Sequence, residues 1–372
     1  MDLQIRSSPR MEGDDRDISM PLAMREGLGV MLGQFIQLKG RTEIVLQVKQ
    51  AYDINQEVAL LSENNFKKIQ GQPLSYNIPE VTIGCDPEFF VLLDYPRGPK
   101  QMMSASTMLP FQGRVGSDGT LGELRPQYTR HESSLTDNLR GLISQIPERI
   151  KIPDWSPANK EPKRPLVYEA HSYYNDLPAG FHVHLGIPRE LLNTRLNVDR
   201  TAMHYLVRCL DWYVSVPLVT LEENHKRRLS YGKYGQPSDY RSSNVTLEYR
   251  TPGAFFLRSP VAAQGLLGMS LLITEHVVGG IKSISKGFSR LLGLKKEELQ
   301  EIMPLPKDPE IVGVLKSPDT KRALAASEKI YAAFRSLPNY ESHRGAIEGF
   351  FRAVEKQEKP GSNLLTNWKV NQ

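Results

Sequence analysis

The spacing of apolar and polar residues divides the chain into helical ends around a strand-rich middle. From Met24 to about Ile69 the spacing predicts helix: Ile44, Val48, Ala51 and Tyr52 share one face, as do Ile54, Val58 and Leu61. Residues 1–20 are polar and read as disordered, and Gly71 to Pro79 as a linker. Helices are expected from Ser134 to Arg149 and from Asn197 to Glu222, the second kinked at Pro217. Ser259-Pro260 is a good N-cap and first-turn pair for a further helix running to about Val278. Three more follow, at 288–302, 318–337 and 342–356, the last with Ile347, Phe350, Phe351 and Val354 on one stripe. The predicted units are a disordered start (1–20), a helical N-terminal extension (21–77), a main domain (78–282) and a helical C-terminal region (283–372). Short strands among scattered helices give an α+β class with an antiparallel sheet.

Four strands in the middle unit carry chemistry at period two. Asp86-Pro87-Glu88 opens the series, with both acids on one strand face and roughly 6–7 Å apart. Two acids so close on an apolar strand need a cation between them or water around them; for this pair alone, water is the simpler partner. Glu123 and Arg125 repeat the spacing, with Asp118 just upstream. So do His182 and His184, and then Glu248 and Arg250. A lone Glu-x-Arg is usually a solvated face. A lone His-x-His is surface decoration or the start of an amidohydrolase-like metal site, which would need further histidines and a downstream Asp. The four together predict a sheet with one apolar face and one wall of carboxylates, imidazoles and guanidiniums. That donor set suits Mg²⁺ or Mn²⁺ better than Zn²⁺.

Composition changes this picture little. The chain has 372 residues, 40% hydrophobic and 24% charged, with net charge +5, which is a soluble globular balance. It lacks the basic block of a nucleic-acid arm, so no nucleic-acid partner is expected, while an anionic small substrate would suit it. Two distant cysteines, Cys85 and Cys209, show no metal spacing and suit a reducing, cytoplasmic setting. The start is not a signal peptide. Val261 to Val278 is broken by Gln264, Glu275 and His276 and reads as a buried helix, so no membrane is expected.

The segment 224–241 is basic, aromatic and punctuated by glycines, and contains Arg228, Lys233 and Arg241. Alone it would be a basic surface loop. Set directly before the Glu248–Arg250 strand, it reads as a cover over phosphate. Carboxylate-bound metals plus arginines are what phosphoryl transfer requires. No Gly-x-x-x-x-Gly-Lys-Ser/Thr run occurs, so a P-loop is excluded.

These motifs resemble the glutamine synthetase/glutamate–cysteine ligase superfamily, and within it the bacteriophage-type amidoligases (COOH–NH2 ligase type 2). The residues concerned are Asp86-Pro87-Glu88-Phe89-Phe90, Asp118-Gly119 with Glu123, Gly180-Phe181-His182-Val183-His184, the arginine loop, and Glu248-Tyr249-Arg250-Thr251-Pro252. The likeness spans about 80–260. Asp86 stands where glutamine synthetases usually have Glu, and the Asp118–Glu123 spacing is shorter than theirs; both departures fit the phage-type branch and argue against glutamine synthesis. The resemblance implies a curved antiparallel sheet, a half-barrel backed by helices, binding ATP and two or more Mg²⁺ (or Mn²⁺) ions. It implies an acyl phosphate formed on a small-molecule or peptide carboxylate and displaced by an amine to give an amide. Carried over, Glu88, Glu123 and Glu248 share one metal. Asp86 and His182, with Asp118 as a further candidate, hold the one nearer the nucleotide. Arg241 and Arg250 contact the transferring phosphoryl or the carboxylate, and Arg228 and Lys233 cover it. His184 and Arg125 complete the nucleotide side. Two alternatives share the fold: a kinase of a carboxylate or guanidino group, and a non-catalytic phage structural or regulatory protein. The setting would be cytoplasmic, the host's if phage-encoded, and a homo-oligomer is compatible with the helical ends.

Overall fold

The strand Thr82–Leu93 organises the protein. The computed structural model describes residues 4–11, 15–40, 42–52, 58–71, 73, 75–95, 98–154, 156, 158, 165–192, 201–229, 234–243, 245–289, 291, 294–317 and 320–370. Its first strands are β1 (Ile5–Ser7), β2 (Asp17–Met20), β3 (Phe35–Lys39), β4 (Glu43–Gln50), β5 (Ala59–Leu61) and β6 (Ser75–Asn77). They form a mixed sheet in the order β1-β5-β2-β4-β3-β6. The main strands are β7 (Thr82–Leu93), β8 (Gln101–Met103), β9 (Val115–Asp118), β10 (Leu121–Leu124), β11 (Leu166–Glu169), β14 (Phe181–Gly186), β15 (Tyr240–Ser242) and β16 (Leu247–Tyr249), with β12 (Tyr173–Tyr174) and β13 (Leu177–Pro178) a separate hairpin. The main sheet runs β15-β16-β14-β7-β10-β9, with β8 and β11 also on β7; every pair is antiparallel and the sheet curls into a half-barrel.

The N-terminal extension is therefore built on a sheet rather than on the continuous helical pattern expected, with helices only at Leu22–Leu28 and Glu63–Ile69 among its described residues. Ile44 and Val48 stand four residues apart, which satisfies both a helical turn and a strand's period of two. The intervening residues decide it. Residues 44–48 are all buried, so both faces of β4 are covered, and the run is rich in β-branched residues that pack well in strands. Tyr52, read as part of the helical face, is 48% exposed; Ile54 lies outside the described residues. Residues 1–20 were expected to be disordered, yet they supply β1 and β2, with Ile18 and Met20 fully buried. Residues 1–3 and 12–14 lie outside the described part. This sheet rests on the main one through a Phe35–Tyr128 edge contact, with centroids 4.9 Å apart, and a Gln127 side-chain bond to the Val45 carbonyl.

Helices cover one face of the main sheet. Glu132–Arg149 and Pro260–Ile284 match the expected pattern, and the Ser259 hydroxyl accepts from the Ala262 amide at 3.4 Å. Pro260–Ile284 is long and apolar enough to cross a membrane, but 78% of its most apolar window is buried within the protein. The expected kink at Pro217 takes the form of a π-helical turn, Asp211–Ser215, between Thr201–Leu210 and Val216–Val219. Proline offers no N–H to the carbonyl four residues back, so the winding loosens before it. At the C-terminal end, Thr320–Phe334 and Tyr340–Glu355 match the expected helices, whereas the 288–302 segment is helical only over Lys296–Ile302 among its described residues.

Candidate active site

Strand register places the polar residues without reference to function. In an antiparallel sheet, directly paired residues share a face. Glu123 pairs with Glu88, His182 with Asp86, His184 with Glu248, and Arg241 with Glu248. The period of two then joins these rows. Asp86, Glu88, Glu123, His182, His184, Glu248 and Arg241 all point to one face. The opposite face carries Cys85, Phe89, Val183 and Tyr249 into the main core. Three glutamates and an imidazole are withdrawn from water: Glu88, Glu123, His182 and Glu248 are 4, 6, 3 and 7% exposed.

Their partners differ. Glu248 is gripped by Arg241 through two bonds of 2.8 and 2.7 Å, and Arg250 lies 3.4 Å away. Glu123 is ion-paired to Arg125. Asp86 faces His184 Nε2 at 3.1 Å and Arg16 at 3.7 Å. Burial opposes ionisation of Asp86, but the charges of His184 and Arg16 outweigh it and hold its carboxyl well below the usual range. The same pairing raises the pKa of His184 against its burial. Glu88 has neither advantage. Its Oε2 accepts from the Gly180 amide at 2.5 Å and the Tyr234 hydroxyl at 2.7 Å, and burial still pushes its pKa up to about 7. His182 is driven the other way, well below its ordinary value, by burial and then by Arg227 and Arg250. It is neutral at physiological pH. Tyr234 bridges the two, its hydroxyl donating to Glu88 and lying 2.7 Å from His182 Nε2. With that hydroxyl proton committed to Glu88, the tautomer that satisfies both carries a hydrogen on Nε2. The Nδ1 lone pair then faces Glu248 Oε1, 3.6 Å away.

The donor set fits a hard divalent cation. It is oxygen-rich, Glu88 is buried without an ion-pair partner among the described residues, Asp86 Oδ1 is buried without a hydrogen bond, and His182 Nδ1 faces Glu248 Oε1 at 3.6 Å. The described residues contain no ready-made group of three or more His, Cys, Asp or Glu that would hold a metal ion. Two of the glutamates are instead paired with guanidiniums, Glu123 with Arg125 and Glu248 with Arg241. The Arg241 side chain is 66% exposed and can turn out to solvent, and a cation taking its place would keep the buried Glu248 paired.

Several expected residues sit elsewhere. Asp118 is exposed at the β9–β10 turn, on the rim. Arg125 does reach the wall, through Glu123. Arg228, read as a cover-loop arginine, is instead buried, bonded to Glu222 and to the Leu315 carbonyl at 2.7 Å. Lys233 lies outside the described residues. Three unassigned residues matter. Tyr234 is sandwiched between Arg227 and Arg250, each 4.7 Å from its ring; its place in an aromatic, glycine-punctuated loop was the available signal. Arg227 anchors that layer by donating to the Thr251 and Arg250 carbonyls, both at 2.7 Å. Arg16 had no signal, since its segment reads as disordered.

Gly180 keeps this arrangement open. A Cβ there would lie 2.3 Å from His182 Nε2 and 2.9 Å from an Arg227 nitrogen. Gly180→Ala should therefore displace His182 and break its contact with Tyr234. A tenfold or greater loss of divalent-cation affinity, ~10–100-fold by analogy with disturbed ligand shells, is the expected calorimetric result.

Comparison with known proteins gives the chain a family. A solved structure titled "Crystal structure of novel glutamine synthase homolog" is similar with a TM-score of 0.32 and 12% identity, over 72% of this chain and 70% of that one. A likeness that distant decides nothing about function. A search of curated proteins gave no match. The family model described as "Phage phiEco32-like COOH.NH2 ligase-type 2" matches residues 83–286, which contain every acid and histidine of the wall. On that match, the chain belongs to the phage phiEco32-like COOH–NH2 ligase type 2 family.

Proposed function

We propose that this member of the family is an ATP- and Mg²⁺-dependent ligase that joins a carboxylate to an amine through an acyl phosphate. The observation that carries the reading is the buried acid wall, with arginines at its edge and one glutamate, Glu88, without an ion-pair partner among the described residues. When bound, ATP and its Mg²⁺ ions would supply the phosphoryl group that activates the acid. Glu88, Glu123 and Glu248 would hold one ion, and Asp86 and the neutral His182 the other, with Asp118 at the rim. His184, whose pKa the neighbouring Asp86 raises against its burial, would fix that carboxylate's orientation. Arg241 and Arg250, once exchanged from Glu248 for a cation, would face the negative charge that develops during transfer. Tyr234 and the stacked Arg227 and Arg250 exclude water from this end of the site, which protects an acyl phosphate from hydrolysis.

The test is ATP turnover with Mg²⁺ across a panel of carboxylates and amines. Turnover is expected only when both are present, and Glu248→Ala should lack it. A phosphorylated acid that accumulates even with amine supplied would instead indicate a kinase. Unchanged turnover in Glu248→Ala would remove the wall from the chemistry.

A further inference from the structure

Beside the acid wall, between the N-terminal sheet and the loop before β9, lies a cavity of about 370 Å³. Arg16, Arg114 and Arg125 line it, with Phe111 at its mouth, 70% exposed. Asp17 is the one acid among the described lining residues, and it lies 3.7 Å from Lys49. The counter-charges of the three arginines lie outside the cavity lining: Asp86 of the acid wall for Arg16, Asp15 for Arg114 at 3.4 Å, and Glu123 of the wall for Arg125. Arg114 Nε is buried without a hydrogen bond. Burial lowers the pKa of Arg114, its Asp15 partner offsets only part of this, and Arg16 adds like-charge repulsion. The guanidiniums stay charged and crowd one another. Gly116 makes room for this, since a Cβ there would lie 2.4 Å from an Arg125 nitrogen.

We infer that this pocket recognises a carboxylate on one of the two substrates, distinct from the group that reacts, with the flat or apolar body of that substrate against Phe111. Planar guanidiniums match a carboxylate in two-point geometry, and an unsatisfied buried N–H is a donor waiting for an acceptor. Among the described lining residues, Arg16 and Arg125 pair with acids of the wall. An anion held there is therefore positioned beside the reacting centre, not within it. Its place in a reaction rests on the ligase reading; its binding chemistry does not.

The test is a ligand-observed NMR titration of the full chain without nucleotide or divalent cation, using benzoate, benzamide and phenyl phosphate as probes. Benzoate should bind with a dissociation constant on the order of 1 mM, as suits a fragment, and benzamide should not. Arg114→Gln should weaken benzoate about tenfold or more. Phe111→Ala, at an exposed position that folding does not need, should weaken it roughly threefold. Asp15→Asn should tighten it by freeing Arg114. Equal binding of benzamide, indifference to both Arg114→Gln and Phe111→Ala, or no benzoate binding at tens of millimolar (~20 mM or above) would overturn the assignment. Phenyl phosphate binding about tenfold tighter than benzoate, with the same mutational dependence, would overturn it in favour of a phosphate site. Benzoate binding without ATP turnover would leave the pocket standing and the ligase reading fallen; the reverse result would do the opposite.

Discussion

Glu88→Gln should cut ATP-dependent ligation sharply and, in metal-free protein, raise stability above pH 7. Glutamine keeps an oxygen to accept from the Gly180 amide and Tyr234, so shape and hydrogen bonds survive and only the charge is lost. The folded protein raises the Glu88 pKa from 4.5 to about 7 because burial disfavours the carboxylate. A raised acid means that the folded state holds its proton more tightly than the unfolded one. Stability is then lost as pH rises from the unfolded value toward 7, and the full cost is present above it. That shift is worth roughly 3 kcal/mol. Below about pH 4 the variant and parent should be equally stable. Urea unfolding at pH 4 and pH 8 without divalent cations reads this directly, and Mg²⁺ should stabilise the parent more than the variant. Activity should fall by about 10²–10³-fold in kcat/KM, the scale for a charge lost at the reacting centre. A group that costs stability yet is needed for turnover marks a functional site. Retained turnover, or a variant less stable at pH 8, would contradict the assignment.

Arg228→Ala should cost stability rather than catalysis. The Arg228 and Glu222 side chains are 4% and 1% exposed and paired to each other, and Arg228 also caps the Leu315 carbonyl. Removing the arginine strands a buried carboxylate, an event worth about 3–5 kcal/mol. Replacing both with apolar residues, Arg228→Met with Glu222→Leu, should recover most of that loss. The folded fraction of Arg228→Ala should keep kcat within about threefold of the parent. A tenfold or larger kcat defect (~1.4 kcal/mol) with normal stability would restore Arg228 to the phosphate cover.

How far the site could be read from the chain follows from periodicity. On β7, β10, β14 and β16 the side-chain period is fixed at two, so the i, i+2 pairs specified a face, and antiparallel register then brought the rows together. Where four-residue spacing satisfied helix and strand alike, as at Ile44 and Val48, the pattern could not choose, and the N-terminal sheet was missed. Arg16 was lost with it, because its contact with Asp86 links residues 70 positions apart. In Lys226-Arg227-Arg228 nothing local says which cation turns inward. Arg227 anchors on backbone carbonyls beside the site and Arg228 on a buried glutamate away from it. That choice is made by long-range partners, to which periodicity is blind. Tyr234 was visible as a loop aromatic, but its role depends on Glu88 and His182 converging beneath it.

The most direct test of the central claim is the fate of a carboxylate oxygen. With an acid from the turnover panel labelled with ¹⁸O in its carboxyl group, together with ATP, Mg²⁺ and the amine, the released phosphate should carry one labelled oxygen per amide formed. That transfer requires an acyl phosphate, and its rate should fall sharply in Glu88→Gln. Amide formed with unlabelled phosphate, or label transfer undiminished in the variant, would contradict the account.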